Sequence, residues 1–428
     1  MSVLVEAQAG TAEQVATGLH FPTSLAFDGE GRAHVAESGL PFGGAPAGGR
    51  VLRLEDDGSA RVVASGLRAP LNGLAWHDGG FYASEGGCPG RISRITPDGA
   101  RTTVIDGLPG HGNYHTNTVA VGPDGWLYWG QGAMTNLGIV GLDAYDLAWL
   151  KQLPHPHDVP GMDVVLAGVN VETADPLEGP DARAVTGAFA PFGTGTAAGQ
   201  RVPAGLPCTA AVLRCRPDGS GLERVAWGIR NAFGLGFLPD GRLIAMDQGS
   251  DDRGSRPIRG VPELVFEVRP GAWYGWPDFV GGVPVTDPRF TPRRGPAPTF
   301  LLANHGALPP PERPLMALPV NCSACKFGVA PADAPWPGHL LLALFGDEVP
   351  MTAPTGPRSG RTVVRIDTDA WTAHAVEGLP PLHRPIDVRF HPHTGEAWVL
   401  DFGEFELAPG GGMHARPGSG AVWRFRPE

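Results

Sequence analysis

The chain has 428 residues, of which 63 are Gly and 45 Pro, yet 42% are hydrophobic, with 11 Trp and 18 Phe. That balance excludes a disordered chain and points to many short strands separated by tight turns around an aromatic core. A net charge of −11, from 33 basic and 44 acidic residues, speaks against nucleic acid or an anionic membrane as partner.

In chain order, one unit recurs six times. It is an apolar strand, a DG-type turn, a second apolar strand, a polar loop and a strand ending in a charged turn. The copies span residues 24–58, 73–99, 118–132 with 211–219, 234–271, 326–367 and 387–428. Segments such as GRLIAMDQ and GEAWVLDF alternate with period two, which argues strand. No segment carries a helical period. Connectors of the form GLxxP (TGLHFP, SGLRAP) join several units. Six four-stranded units predict an all-β chain: a six-bladed β-propeller forming one domain over residues 1–428. Residues 2–18 are expected to supply the outer strand that closes the last blade. Two long departures, about 136–208 and 276–320, are read as loop insertions capping one mouth.

The start MSVLVEAQAGTAEQV has neither the basic nor the apolar region of a signal peptide, so it reads as cytoplasmic or as a mature end. No apolar run is long enough to span a bilayer. The five cysteines (Cys88, Cys208, Cys215, Cys322 and Cys325) are too few, and odd in number, for a disulfide framework.

In a propeller the residue before each innermost strand faces the mouth. Stepping back four from the apolar triplets (Leu25, Leu74, Val119, Leu235, Phe327, Val388) gives Phe21, Pro70, His115, Asn231, Ser323 and Arg384. Flanking positions add Asn72, Asn117, Arg230, Asn321, Cys322 and Asp387. Convergent polar groups of this kind are the signature of a binding site. Three further groups are weaker candidates: Cys322-x-x-Cys325 with Cys208, the loop histidines His155 and His157 beside Asp158, and the acidic run Asp247, Asp251 and Asp252.

Four stretches, GNYHTNTVAVGPDGWLYWGQG, AWGIRNAFGLGFLPDGRL, DQGSDDRGSRP and GAWYGWPDFVGG, resemble the soluble sugar dehydrogenases that depend on pyrroloquinoline quinone (PQQ). The glucose/sorbosone dehydrogenase-like branch is the nearest, and the resemblance spans nearly the whole chain. It implies a six-bladed propeller with PQQ and Ca²⁺ in its mouth. His115 matches the general base that takes the proton of a sugar hydroxyl as hydride passes to the quinone. Arg230 and Asn231 match the pair on the quinone's oxygens and carboxylates; Arg384 and Asn72 are further cofactor contacts. Gly249 and Ser250 match carbonyls on the cofactor's Ca²⁺, and those of Ala272 and Tyr274 part of a second Ca²⁺ site. The implied partner is a sugar or related alcohol or aldehyde, with the electron acceptor open. Three positions depart from the pattern. Ala133 stands where an Asp orients the base, Leu71 where a Gln touches the quinone, and Asp347 and Glu348 where a Lys is expected. A Ca²⁺-dependent lactonase and a non-catalytic binding module with a decayed cofactor site are the alternative readings.

Overall fold

The computed structural model describes residues 10–87, 89–353, 358–408 and 412–427. It is a six-bladed β-propeller of six four-stranded antiparallel sheets. The first blade runs Pro22–Phe27, Ala33–Glu37, Gly49–Leu54 and Ala60–Leu67 from axis to rim. Blades two to five open at the axis with Leu71–His77, Thr116–Val121, Ala232–Phe237 and Ala324–Val329. The sixth joins both ends of the chain, in the order Pro385–Phe390, Ala397–Asp401, Gly420–Pro427 and Gly10–Leu19. The expected closing strand therefore forms from Gly10 onward; residues 2–9 of that expectation lie outside the described residues.

The turn chemistry explains the repetition. In the DG turns the Asp carboxylate accepts a backbone N–H two residues on, as Asp57, Asp124, Asp218 and Asp240 all do. In the GLxxP connectors Gly18, Gly66, Gly107 and Gly378 all have positive φ, which a residue with a Cβ resists. The apolar faces of the blades pack into several separate buried clusters, with Trp129 and Trp227 fully buried in one, Phe425 in a second and Phe81 in a third.

Each innermost strand also carries one extra residue near the axis. The register with its neighbour slips between Pro22 and Ser24, Leu71 and Gly73, Thr116 and Val119, Ala232 and Gly234, Ala324 and Phe327, and Pro385 and Asp387. A bulge bends the strand and re-aims a side chain. Six in equivalent places re-aim six side chains toward one axis.

The two long segments differ in detail from the expectation. The first carries two short α-helices, Leu142–Asp146 and Trp149–Gln152, although no helical period announces them. It also holds two small two-stranded sheets. The second ends earlier than expected, because Met316–Val320 pairs with Pro262–Glu267 as the outer strand of blade four. The two segments meet at a bridge between Leu166 and Leu302.

Phe425, fully buried on the strand that holds both chain ends together, is a direct probe of closure. Phe425→Ala is expected to cost about 3–5 kcal/mol in equilibrium denaturation. A loss below about 1 kcal/mol would show that the sixth blade does not limit stability.

Candidate functional site

The bulges build the site. The residues left out of the pairing include Thr23, Asn72, Asn117, Phe233, Cys325 and Ile386, and all six line one cavity of about 200 Å³ at the axis. Pro70, His115, Asn231 and Ser323, from the ring expected from sequence, line it too, whereas Phe21 and Arg384 do not. The walls add Tyr114, Gln248, Phe345, Glu348 and Phe402. No residue of 136–208 or 276–320 lines this cavity.

Its polar floor is tied into one network. The Asn231 amide group donates to Gln248 Oε1 at 2.8 Å, and its oxygen accepts from Asn117 Nδ2 at 2.7 Å. Gln248 donates to Ser323 Oγ at 3.0 Å. These amides and hydroxyls are held in place before any ligand arrives. The Asn72 side chain faces the cavity as well, and its Nδ2 donates to Thr116 O at 3.3 Å.

His115 stands in the wall with Nδ1 3.0 Å from the carbonyl oxygen of Gly110. A carbonyl can only accept, so it fixes the proton on Nδ1 and leaves Nε2 with its lone pair. The support that an Asp at Ala133 would have supplied thus comes from the backbone. Burial, the largest effect, lowers the His115 pKa; the Gly110 and Gly86 backbones work the other way. The close packing needs two glycines. A Cβ on Gly86 would lie 2.7 Å from His115 Cβ, and one on Gly132 2.7 Å from Asn231 Oδ1.

Arg230 lies behind this wall rather than in the cavity. Its donors go to the carbonyls of Gln248 (2.8 Å) and Gly249, to the side chains of Asn136 and Asp251 (3.0 Å each), and to the Tyr114 hydroxyl. Arg253 bonds the same hydroxyl at 2.7 Å and Asp143 at 2.6 Å, so two guanidiniums and two carboxylates neutralise one another. Arg384 is fully buried and spends its donors on the carbonyls of Phe405 and Asp347 and on Glu406. Burial lowers its pKa.

Of the carbonyls expected to hold Ca²⁺, those of Gly249 and Ala272 already accept hydrogen bonds. Gly249, Ser250 and Tyr274 line a second cavity of about 20 Å³, with Arg230 and Asp247. The Gly249 carbonyl accepts from the Arg230 guanidinium, Ser250 Oγ donates to Asn136 O at 3.2 Å, and the Ala272 carbonyl accepts from the Trp227 amide at 3.1 Å. Burial pushes the Asp247 carboxyl up to about 7 and that of Glu263, which accepts from the Gly249 amide, up to about 8. Among the described residues, no group of three His, Cys, Asp or Glu side chains is placed to hold a metal ion.

The remaining candidates disperse. Cys208, Cys215, Cys322 and Cys325 are free and buried, and burial raises the pKa of Cys322 and Cys325. Cys88 lies outside the described residues. Asp158 turns inward, accepting from Met134 N at 2.7 Å and Thr209 Oγ1 at 2.8 Å, so that it shares only an electrostatic interaction with His157. Asp252 accepts from the backbone amides of Arg293 and Arg294. Of the two acids at the missing Lys position, Asp347 pairs with Arg358 at 3.0 Å, and only Glu348 faces the cavity. Leu71 is fully buried, its carbonyl accepting from the Thr23 hydroxyl.

One group escaped the reading of the sequence. Lys326 is fully buried beneath the cavity, and from blade five it donates to the carbonyls of Thr23 and Asn72 on blades one and two. Burial pushes its ammonium from 10.5 down to about 8.

No protein-family model matches the chain, and no curated protein matches it. Solved structures that are similar include the PQQ-bound aldose sugar dehydrogenase of Streptomyces coelicolor, at 18% identity and a TM-score of 0.56, covering 98% of each chain. Another is the holo PQQ domain of pyranose dehydrogenase from Coprinopsis cinerea (14% identity, TM-score 0.58, 100% of this chain and 97% of that one). A third is the soluble aldose sugar dehydrogenase of Escherichia coli in its apo form (13% identity, TM-score 0.55, 98% and 100%). At these identities the likeness is one of fold.

Two tests follow. Gly86→Ala should displace His115 and the Pro70 carbonyl, seen as a changed imidazole titration by NMR once a denaturation midpoint shows that the variant folds; an unchanged titration would show that the contact is not limiting. The unfolded chain binds the lysine proton more readily between pH 8 and 10.5, so Lys326 should make stability rise with pH across that window, by about 3 kcal/mol. Lys326→Met should remove that rise in pH-dependent denaturation, and an unchanged slope would place the titration elsewhere.

Proposed function

We propose that the axial cavity binds a small polyhydroxylated molecule, a sugar or related alcohol or aldehyde, and that the chain is an oxidoreductase acting on it. The observation that carries this reading is His115, set in the cavity wall with Nδ1 committed to Gly110. Its Nε2 is placed to take the proton of a substrate hydroxyl, while the hydride of the carbon beneath passes to a separate two-electron acceptor, such as the redox dye of the assay below, which is thereby reduced. Fixed amides and hydroxyls (Asn72, Asn117, Asn231, Gln248, Ser323) suit the hydroxyls of such a substrate, and Phe233, Phe345 and Phe402 suit its C–H faces. The fold likeness to aldose sugar dehydrogenases and a pyranose dehydrogenase domain supports the reaction class.

PQQ with Ca²⁺ is the acceptor that the resemblance implies, and the residues present do not fit it. The fork of Arg230 is filled, the Gly249 carbonyl is held by that guanidinium, and Arg384 is tied behind the wall. No step is therefore derived through the quinone or the metal. The same observation favours, as a second reading, a sugar-binding module whose redox site has been lost.

Dye-coupled oxidation over a panel of aldoses, with and without added PQQ and Ca²⁺, tests the first reading. His115→Asn is expected to lower turnover by about 10²–10⁴-fold while the sugar still binds by calorimetry. Because burial lowers the His115 pKa, the acid limb of kcat/KM should fall below the ordinary histidine range. Binding without turnover in the wild type would favour the second reading, and unchanged turnover in His115→Asn would remove the base.

A further inference from the structure

We infer that the axial cavity selects uncharged ligands and rejects a tricarboxylate quinone, and that Glu348 is the residue that sets this selectivity. The inference rests on the axial cavity being the ligand site. Among the described residues lining it there is no Arg or Lys; its carboxyl group is that of Glu348. Every cation nearby is spent elsewhere. Arg230 serves backbone carbonyls, Asn136, Asp251 and Tyr114. Arg384 serves the carbonyls of Asp347 and Phe405 and the carboxylate of Glu406. Lys326 serves two carbonyls beneath the floor.

A ligand with three carboxylates would give up its hydration for a lining that, among the described residues, presents no Arg or Lys side chain to pair with them. Charges buried without partners are strongly disfavoured. It would also stand beside the carboxyl group of Glu348 in the cavity wall, which offers a carboxylate no cationic partner. An uncharged polyol meets none of these penalties and finds fixed donors and acceptors in Asn72, Asn231 and Gln248.

The test is a titration read by tryptophan fluorescence and calorimetry, independent of turnover. Full-length wild type, Glu348→Gln and Glu348→Lys are each titrated with PQQ in the presence of CaCl₂, after a denaturation midpoint confirms that the variants fold. The wild type is expected to show no saturable binding up to about 100 μM. Glu348→Lys should tighten binding by about tenfold or more, and Glu348→Gln should fall between. Stoichiometric low-micromolar binding of PQQ by the wild type would overturn the inference, yet leave the role of His115 standing. Folded variants that bind no better than the wild type would also overturn it, because the exclusion would then not lie in Glu348. Failure of the substrate reading shows separately, as an absence of sugar binding.

Discussion

Everything at the centre of this molecule depends on one extra residue in each innermost strand. A regular antiparallel pair sends alternate side chains to the two faces of a blade, and none along the axis. The bulges at Thr23, Asn72, Asn117, Phe233, Cys325 and Ile386 break that alternation in equivalent places. The constraint is shared. Asp387 of blade six accepts the Leu25 amide of blade one at 2.9 Å, Ser24 of blade one accepts the Leu74 amide of blade two at 3.1 Å, and Asn117 of blade three bonds Asn231 of blade four. Polar residues of the inner strands thus register blade against blade as well as furnish the pit.

The electrostatics follow from the same economy. Near the axis the backbone bends and leaves carbonyls without strand partners, and buried carbonyls need donors. Arg230, Arg384 and Lys326 are the donors that meet this need. A guanidinium that serves the main chain cannot also grip a ligand carboxylate. The cavity that results is polar without being cationic, with one imidazole whose tautomer is set by the backbone. That combination suits proton transfer with a neutral hydroxyl better than the capture of an anion.

The architecture was legible because its signals are local and repeated. DG turns, GLxxP connectors and period-two apolar runs each mark a blade, and six of them leave little room for another fold. The closing strand was legible from Gly10 onward for the same reason. The ring of axial residues was legible only in part. Counting back four from the apolar triplets reaches Pro70, His115, Asn231 and Ser323, which do line the cavity. Counting back two reaches the bulge residues, but a bulge has no residue signature of its own and is seen only in the register of a pair. The fate of Arg230 and Arg384 was not legible at all. Motif likeness preserves a residue type, whereas its role depends on which groups from distant segments, such as Asn136, Asp251 and Glu406, reach it first. The short helices at 142–152 escaped for a related reason: four or five residues are too few to show a period.

Lys326 has a consequence for rigidity. Its side chain runs from blade five to backbone carbonyls of blades one and two and is wholly shielded from solvent. One ammonium thereby ties the inner strands of three blades to one another, so a ligand seated at the axis meets a frame whose blades cannot shift independently.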